Sequence, residues 1–376
     1  MLRLIGLFGV PLFEDDFYRY LFDGFMMVTS GDPYSLPPSA FFASEHLPVH
    51  VEELLSQINF PDIATVYGPV TQWIFATAWT ISPGNIWPFQ LLAGLTDILV
   101  LVILAHLCQS KLQRNYLILY AWAPLLIKEF VITAHPDIYA IAFGILALTA
   151  VHLHRWWICG VLLALAVGAK VFALLIIPLV ICYPENLRSS CRIIFGFLLG
   201  IAFITFLFGT PGIWFPEGLG AMAKHWVFNA PLYRALYPTV SITVIKAIAL
   251  LLLFAVILWR MQKVFALRGK SDKQPEKSTA LYCGLLWVYS ALLLVIPALN
   301  PWYVCWVLPF AVLNKNRWPF AWATLVTFAY HTGIHVGGES LHRVSDLLLS
   351  VQLLGLITAM LLDRYKVGSR EPRLPT

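Results

Sequence analysis

Charged residues are scarce in this sequence. Asp, Glu, Lys and Arg make up 12% of the 376 residues, while hydrophobic residues make up 59%. A soluble domain usually carries about 25% charged residues. Long apolar runs also recur from one end of the chain to the other. The composition therefore argues against an ordinary soluble domain and predicts a polytopic membrane protein.

Several familiar sequence signatures are also missing. The six Cys residues show no CxxC or zinc-type spacing, so we expect free thiols rather than a disulfide framework or a metal site. No Walker motif or GxGxxG motif is present, which argues against a soluble nucleotide sugar as the substrate. We find no internal repeat, although many transporters are built from repeats. We expect no nucleic-acid partner.

The apolar runs predict a single integral membrane domain, residues 1–376, that is all-α and has about twelve transmembrane helices. The runs are 2–13, 87–108, 116–131, 137–153, 156–169, 171–183, 193–209, 239–259, 279–297, 302–313, 318–336 and 344–362. Several are shorter than the roughly 20 residues that a span needs, including the first. The run 69–82 is also too short to cross, and we interpret it as an interfacial or half-inserted helix.

The basic residues divide unevenly between the two ends of these predicted helices. Eighteen of the 25 Lys and Arg residues fall on one side, and the positive-inside rule places that side in the cytoplasm. Both termini and a linker at 260–278 are then cytoplasmic. The long first loop, 14–86, and a second large loop, 210–238, are extracytoplasmic.

Three consecutive acids, Glu14, Asp15 and Asp16, stand at the predicted outer boundary of the membrane. Adjacent carboxylates beside a low-dielectric region can have shifted pKa values, and one of them can serve as a general base. The alternative is a solvated stop signal after a helix. Arg19 would share a helix face with Asp15 or Asp16 if this stretch is helical.

Other polar residues fall near the same predicted outer face. His135 and Asp137 occupy the second outer turn, where they either cap a helix that starts at Pro136 or orient the acceptor or the base. Lys170 lies between two short apolar helices, where it either contacts a phosphate or snorkels to the lipid headgroups. Five further residues suit either a sugar pocket or an interfacial aromatic belt: Tyr67, Gln72, Asn300, Trp302 and Tyr303.

Five pieces of the sequence, in this order, carry a family resemblance. They are "DDFYRYLFDG…GDPYSLPP", "TVYGPVTQWIF", "YAWAPLLIKEF…AHPDIYAIAFGILAL" (120–148), "GAKVFALLIIPLV" (168–180) and "LNPWYVCWVLPF" (299–310). Over roughly residues 12–310 the chain resembles polyprenyl-phosphate-sugar-dependent glycosyltransferases of the GT-C fold, in particular their bacterial and archaeal mannosyltransferase-like branch.

The resemblance implies a GT-C-like bundle whose long first extracytoplasmic loop contains interfacial helices. It implies inverting transfer of a hexose, with mannose preferred, from a polyprenyl-phosphate donor to a lipid-linked or glycan acceptor. It assigns the base to Asp16, with Asp15 as the second choice, and places Lys170 near the lipid phosphate. Arg19 is the other expected phosphate ligand, because the leaving phosphate gains negative charge.

The implied location is a bacterial or archaeal plasma membrane, with the active site on the extracytoplasmic face and membrane lipids around it. We expect no required cofactor and no metal ligand among the site residues, although a divalent cation is compatible with the pattern. Two other function classes stay open: a transporter or flippase of lipid-linked saccharides, and a polymerase of them.

Overall fold

A computed structural model describes residues 2–44, 47–209, 211–220, 226–237, 239–268, 274–332 and 344–368. These residues form helices and connecting segments, and within them the only β-type pairing is an isolated bridge between Phe228 and Ala298. The predicted all-α fold class is thereby confirmed.

Seventeen helices are labelled here in chain order. They are α1 Leu2–Gly6, α2 Asp16–Thr29, α3 Val49–Leu55, α4 Pro69–Ile81, α5 Trp87–Leu107, α6 Lys111–Trp122, α7 Pro124–Ile132, α8 Asp137–His152, α9 Trp156–Ala169, α10 Val171–Cys182, α11 Leu187–Phe208, α12 Pro231–Leu236, α13 Ile242–Phe265, α14 Gln274–Val295, α15 Pro301–Asn314, α16 Trp318–Leu325 and α17 Asp346–Gly368. The second part of α7 is a π-helix, whereas α10 and α15 begin with a 3₁₀ segment.

Five of the described helices are long and apolar enough to cross a membrane: α5, α11, α13, α14 and α17. Helices α6 and α7 make a sixth span if they are counted together, although the chain bends by 47° between them. The bend lies at Ala123, because the residue before Pro124 is pushed out of the helical conformation. Helices α8, α9, α10 and α15 are apolar but shorter. The structure supports a membrane protein, but the predicted count of about twelve spans is not confirmed.

The observed helix ends differ from several of the predicted boundaries. The apolar run 2–13 is helical only in α1, and the linker 260–278 is shortened because α13 continues to Phe265 and α14 begins at Gln274. Residues 269–273 of that linker, and residues 210, 221–225 and 238 of the second large loop, lie outside the described residues.

Helices α9 and α11 pack closely because glycine lets their backbones approach. A Cβ atom at Gly160 would overlap the carbonyl oxygen of Ile193, and one at Gly196 would overlap that of Trp157. Small residues serve the same purpose where membrane helices cross closely. Since α9 ends at Ala169, this packing also fixes the position of Lys170, the next residue.

Several helix ends meet on one side of the fold. The first residues of α2, α4 and α15 lie there together with the turn before α8, the last residue of α9 and the end of α14. Helix ends carry backbone groups without intrahelical partners and are followed by polar turns. A largely apolar bundle therefore concentrates its polar side chains at this place.

The close approach of α9 and α11 can be tested with Gly196→Ala. The added methyl group forces the backbones apart, so we expect the free energy of unfolding to fall by about 1–3 kcal/mol, the usual cost of overpacking. Thermal unfolding in detergent measures the change. The control is Gly220→Ala, because a Cβ at Gly220 meets no atom of the described residues within 4 Å. Equal stability of the two variants would contradict the packing described here.

Candidate active site

The converging helix ends surround a cavity of about 430 Å³. Nine residues that the sequence analysis selected line it: Asp15, Asp16, Arg19, Tyr67, His135, Lys170, Asn300, Trp302 and Tyr303. Asp15 and Tyr303 are far apart in the sequence, so the cavity is assembled from segments along most of the chain. Gln72, a candidate for the sugar pocket, and Asp137, a candidate for orienting the acceptor or the base, do not line it.

Asp16, the first residue of α2, is the carboxylate that faces the cavity with no hydrogen-bond or ion-pair partner among the described residues. Burial raises the pKa of Asp16 to about 7; the Asp15 carboxylate adds to the rise, and Lys170 and Arg19 oppose it. Asp15 accepts a hydrogen bond from the Asn59 amide. Asp16 can therefore take up and release a proton near neutral pH.

Arg19 is held in place by a buried acid that the sequence analysis did not select. Its Nε atom lies 3.0 Å from Asp23 Oδ1, and its Nη2 atom donates to the carbonyl oxygen of Ile63 at 2.6 Å. The sequence placed Arg19 on one helix face with Asp15 or Asp16, and in the structure its guanidinium pairs with Asp23, the acid one helical turn further on. These two contacts hold the guanidinium at the wall of the cavity.

Gln72 belongs to the surroundings of Asp23 rather than to a sugar pocket. Its Nε2 atom lies 3.0 Å from Asp23 Oδ2 and 2.9 Å from Thr65 Oγ1, and Thr65 also donates to Asp23. Asp23, Thr65 and Gln72 are all buried. Burial raises the pKa of Asp23, while Arg19 and these hydrogen bonds favour the ionised form. The network keeps an acid beside Arg19 without exposing it to the cavity.

Lys170, like Arg19, is held in place by a buried acid. Its Nζ atom lies 3.1 Å from Asp137 Oδ2, and the other oxygen of Asp137 accepts a hydrogen bond of 2.8 Å from Trp306 Nε1. Asp137 is fully buried as the first residue of α8. It is therefore placed to fix Lys170, whereas the sequence had suggested that it either caps the helix or orients the acceptor or the base. The Lys170 ammonium also lies 5.7 Å and 5.4 Å from the ring centres of Tyr67 and Tyr303.

The start of α4 reaches Lys170 through a close backbone contact. A Cβ at Gly68 would overlap the carbonyl oxygen of Gly168, so glycine is needed at this approach. The Thr71 hydroxyl then donates to the carbonyl oxygen of Ala169 at 2.9 Å. These contacts place Tyr67 and Lys170 on the same cavity.

His135 presents a neutral ring at the cavity wall. Burial lowers its pKa well below the ordinary value, and Lys128 and Lys170 act in the same direction. Its Nε2 atom bonds the Glu14 carboxylate and its Nδ1 atom lies 2.8 Å from the Tyr20 hydroxyl. Because a carboxylate only accepts, Nε2 carries the proton and Nδ1 accepts from the tyrosine. The ring stacks on Trp302 with a centroid distance of 4.0 Å.

Behind His135 lies a buried charge network. Lys128 pairs with Glu14 and, at 3.3 Å, with Glu129, while the Tyr330 hydroxyl contacts both acids. Lys128 and Glu129 belong to the π-helical part of α7, and π-helical turns are frequent at functional sites. Ala134, in the left-handed conformation with φ of 59°, completes the turn that brings His135 to the cavity.

One group in the described residues has metal-compatible geometry. Ligand atoms of Glu14, Asp16 and His135 lie within 4.8 Å of one another. However, the Lys128 ammonium already neutralises Glu14, and the nitrogen of His135 that faces this group carries a proton. Both features disfavour a bound cation at these three residues, so we assign no metal site to them.

Comparison with known proteins adds a family relationship. Residues 6–185 match the model of a family described as alpha-(1->6)-mannopyranosyltransferase, N-terminal domain. The match supports a mannosyltransferase-like family. It also confirms the predicted enzyme class, glycosyltransferase. The search of curated proteins and the search of solved structures gave no match. The GT-C fold stays a prediction.

The matched range contains Asp16, Arg19, His135 and Lys170, whereas the cavity residues around Trp302 lie beyond it. The part of the chain that matches the family model thus supplies the charged half of the cavity. Other lining residues carried no recognisable signal in the sequence: Asn59, Phe60, Trp214 and Trp226. Asp23 did carry a signal in the sequence, because an acid four residues after Arg19 on a predicted helix is placed to pair with it.

The role of Asp23 can be tested with Asp23→Asn. The amide keeps the shape but removes the charge that holds Arg19, so we expect the sugar-transfer rate at low donor concentration to fall roughly 10- to 100-fold, as for loss of a charged hydrogen bond. Initial rates per folded protein measure the effect.

The matched control is Asp97→Asn. Asp97 is equally buried and pairs with Arg3 and, at 3.1 Å, with the Tyr120 hydroxyl, but it does not line the cavity. This variant should lose stability and keep its rate per folded molecule. Equal losses of rate in both variants would show that Asp23 acts on folding alone.

Proposed function

We propose that this protein transfers a hexose, with mannose preferred, from a polyprenyl-phosphate donor to a lipid-linked or glycan acceptor, with inversion at the sugar. One observation carries the proposal: a carboxylate with a pKa near 7 shares a cavity with two cations held by buried acids. A base and a phosphate site are the two elements that this transfer requires.

The proposed chemistry is a single displacement. The acceptor oxygen attacks the anomeric carbon while Asp16 takes the hydroxyl proton, and the bond from the anomeric carbon to the phosphate oxygen breaks. The polyprenyl phosphate leaves with the electron pair, and Arg19 and Lys170 stabilise its growing charge. One displacement inverts the centre, so a β-linked donor gives an α-linked product.

The wall of the cavity suits a pyranose ring. His135 stacked on Trp302 offers a flat surface, while Tyr67 and Tyr303 flank the Lys170 ammonium. Asn300 adds an amide at the same wall. These side chains would orient the transferred sugar with its anomeric carbon between the base and the cations, where proximity contributes to the rate.

The donor chain needs an apolar surface beside the phosphate site. Val167, Val171 and Phe172 line the cavity on either side of Lys170 in the sequence, and Leu292 and Ile296 extend this apolar surface along the end of α14. A phosphate at Lys170 would direct its hydrocarbon chain along these residues. This arrangement supports a lipid-linked donor.

We further propose that the cavity opens on the extracytoplasmic face and that both termini are cytoplasmic, in a bundle of about twelve membrane-embedded helices of the GT-C type. The support is the uneven distribution of Lys and Arg. The proposed reaction requires no cofactor, because the two cations supply the charge that a metal ion would supply. Transfer should then survive treatment with EDTA.

The experiment that tests the function is transfer of labelled mannose from a polyprenyl-phosphate donor in membranes containing the protein. Label in a glycan or glycolipid product supports the proposal. Movement of intact donor across the membrane with no transfer would favour the flippase alternative, and growth of long chains from preassembled units would favour a polymerase.

The base is tested by Asp16→Asn. The amide retains size and hydrogen bonding but cannot accept the proton, so we expect turnover to fall by about 10²–10⁴-fold with little loss of folded protein. The control is Asp62→Asn, because Asp62 is an exposed acid of the same loop and lies outside the cavity lining. An Asp16→Asn variant as active as the control would refute the mechanism.

The charge environment of Asp16 predicts a pH dependence. Asp16 must be ionised to act, so kcat/KM should rise with pH through about 7 and then level off. Asp15 and Asp137 raise the pKa of Asp16, while Lys170 and Arg19 lower it. Asp15→Asn should therefore move the midpoint to lower pH and Lys170→Ala should move it to higher pH. Shifts of the same sign in both variants would refute the assignment of this midpoint to Asp16.

A further inference from the structure

Two groups of lining residues with different chemistry adjoin the charged residues of the cavity. The apolar group adjoins Lys170 through Val167, Val171 and Phe172. The second group consists of Asn59, Phe60 and Trp226, and it adjoins the carboxylates because the Asn59 amide donates to Asp15. The proposed function, on which this inference rests, uses the apolar group for the donor chain. The second group lies beside the base, where the attacking hydroxyl must arrive.

Phe60 is the unusual member of the second group. Its backbone is left-handed, with φ of 51°, and its side chain is 50% exposed. A bulky residue rarely adopts this conformation, and such strain persists mainly where the surroundings impose it at functional sites. Neither the backbone strain nor the exposed ring stabilises the fold, so stability does not explain a phenylalanine here.

Trp226 meets Phe60 from a distant part of the chain. The two ring centres are 5.1 Å apart, with 51° between the ring planes. The segment after Trp226 is anchored by two backbone hydrogen bonds of 2.9 Å, from Phe228 N to the Pro297 carbonyl and from Leu299 N to the Phe228 carbonyl. The pair is thus a fixed aromatic surface at the cavity.

We propose that Phe60 and Trp226 form the acceptor subsite, on which a carbohydrate acceptor stacks its pyranose ring. A sugar ring has an apolar C–H face that packs on aromatic rings and a polar edge that needs hydrogen-bonding partners. Asn59 supplies an amide next to the rings and is bonded to Asp15, the neighbour of the base. A sugar on this surface presents its hydroxyl towards Asp16, whereas a purely lipid acceptor would have no use for the polar groups beside the rings.

The backbone strain at Phe60 provides a sharp test. Phe60→Ala removes the ring and keeps a residue that disfavours positive φ, whereas Phe60→Gly removes the ring and relieves the strain. We expect the glycine variant to have the higher unfolding temperature of the two, and both to raise the KM for the acceptor about tenfold or more. Trp226→Ala should raise the acceptor KM similarly. The KM for the donor should stay unchanged in all three.

The control is Phe42→Ala, because Phe42 is 58% exposed in the same loop and does not line the cavity. Binding of α-(1→6)-mannobiose to the detergent-solubilised protein, followed by saturation-transfer NMR, gives a readout that needs no turnover. We expect binding by the wild type and by Phe42→Ala, and its loss in both Phe60 variants and in Trp226→Ala.

The possible outcomes separate this inference from the proposed function. Disaccharide binding that depends on Phe60 and Trp226, without sugar transfer in the wild type, supports the subsite and contradicts the transferase. Normal transfer with an unchanged acceptor KM in the three variants overturns the subsite and leaves the transferase standing. Loss of binding only in proportion to lost stability also overturns the subsite.

Discussion

The ion pair between Lys170 and Asp137 ties together the helices on which the cavity depends. Lys170 follows the last residue of α9, Asp137 is the first residue of α8, and the second oxygen of Asp137 is bonded to Trp306 of α15. A buried charge without a partner is costly, so neither member can leave the other without destabilising the fold. The pair therefore fixes three helix ends relative to one another.

The same arrangement is repeated at the other cation. Arg19 is held by Asp23, which is itself surrounded by Thr65 and Gln72. In both cases a buried acid lies on the side of the cation away from the cavity. The cations are therefore oriented before any ligand binds, and the proposed donor phosphate would find them already ordered, at little cost in side-chain entropy. Asp16 is the exception, since it faces the cavity without such a partner among the described residues, and burial together with the neighbouring Asp15 carboxylate raises its pKa.

The sequence predicted which charged residues line the cavity more reliably than it predicted what each one contacts. Asp16, Arg19 and Lys170 were selected from motifs and boundaries, and all three line the cavity. Gln72 was expected to contact the sugar, but the rotation of α4 turns it towards Asp23. Helical spacing shows which residues share a face, but it does not show which face meets the cavity.

Other features depend on tertiary contacts that leave no trace in a single sequence. The backbone contact between Gly68 and Gly168 joins segments 100 positions apart, and the left-handed backbone at Phe60 occurs at a residue type that rarely adopts it. The number of membrane spans is difficult to predict from the sequence for a related reason. An apolar run reports composition, whereas a break such as that at Ala123 depends on local backbone geometry.

In the proposed reaction, the electrostatics of the cavity would link donor binding to the strength of the base. Lys170 and Arg19 lower the pKa of Asp16. A donor phosphate bound between them, as proposed above, would neutralise part of that positive field, and the Asp16 carboxylate would then be a stronger base. Asp23 and Asp137 limit the effect, because they hold the two cations at fixed positions and keep them from collapsing onto Asp16. The buried acids thus keep a carboxylate and two cations apart in one small cavity, where free side chains would pair and cancel.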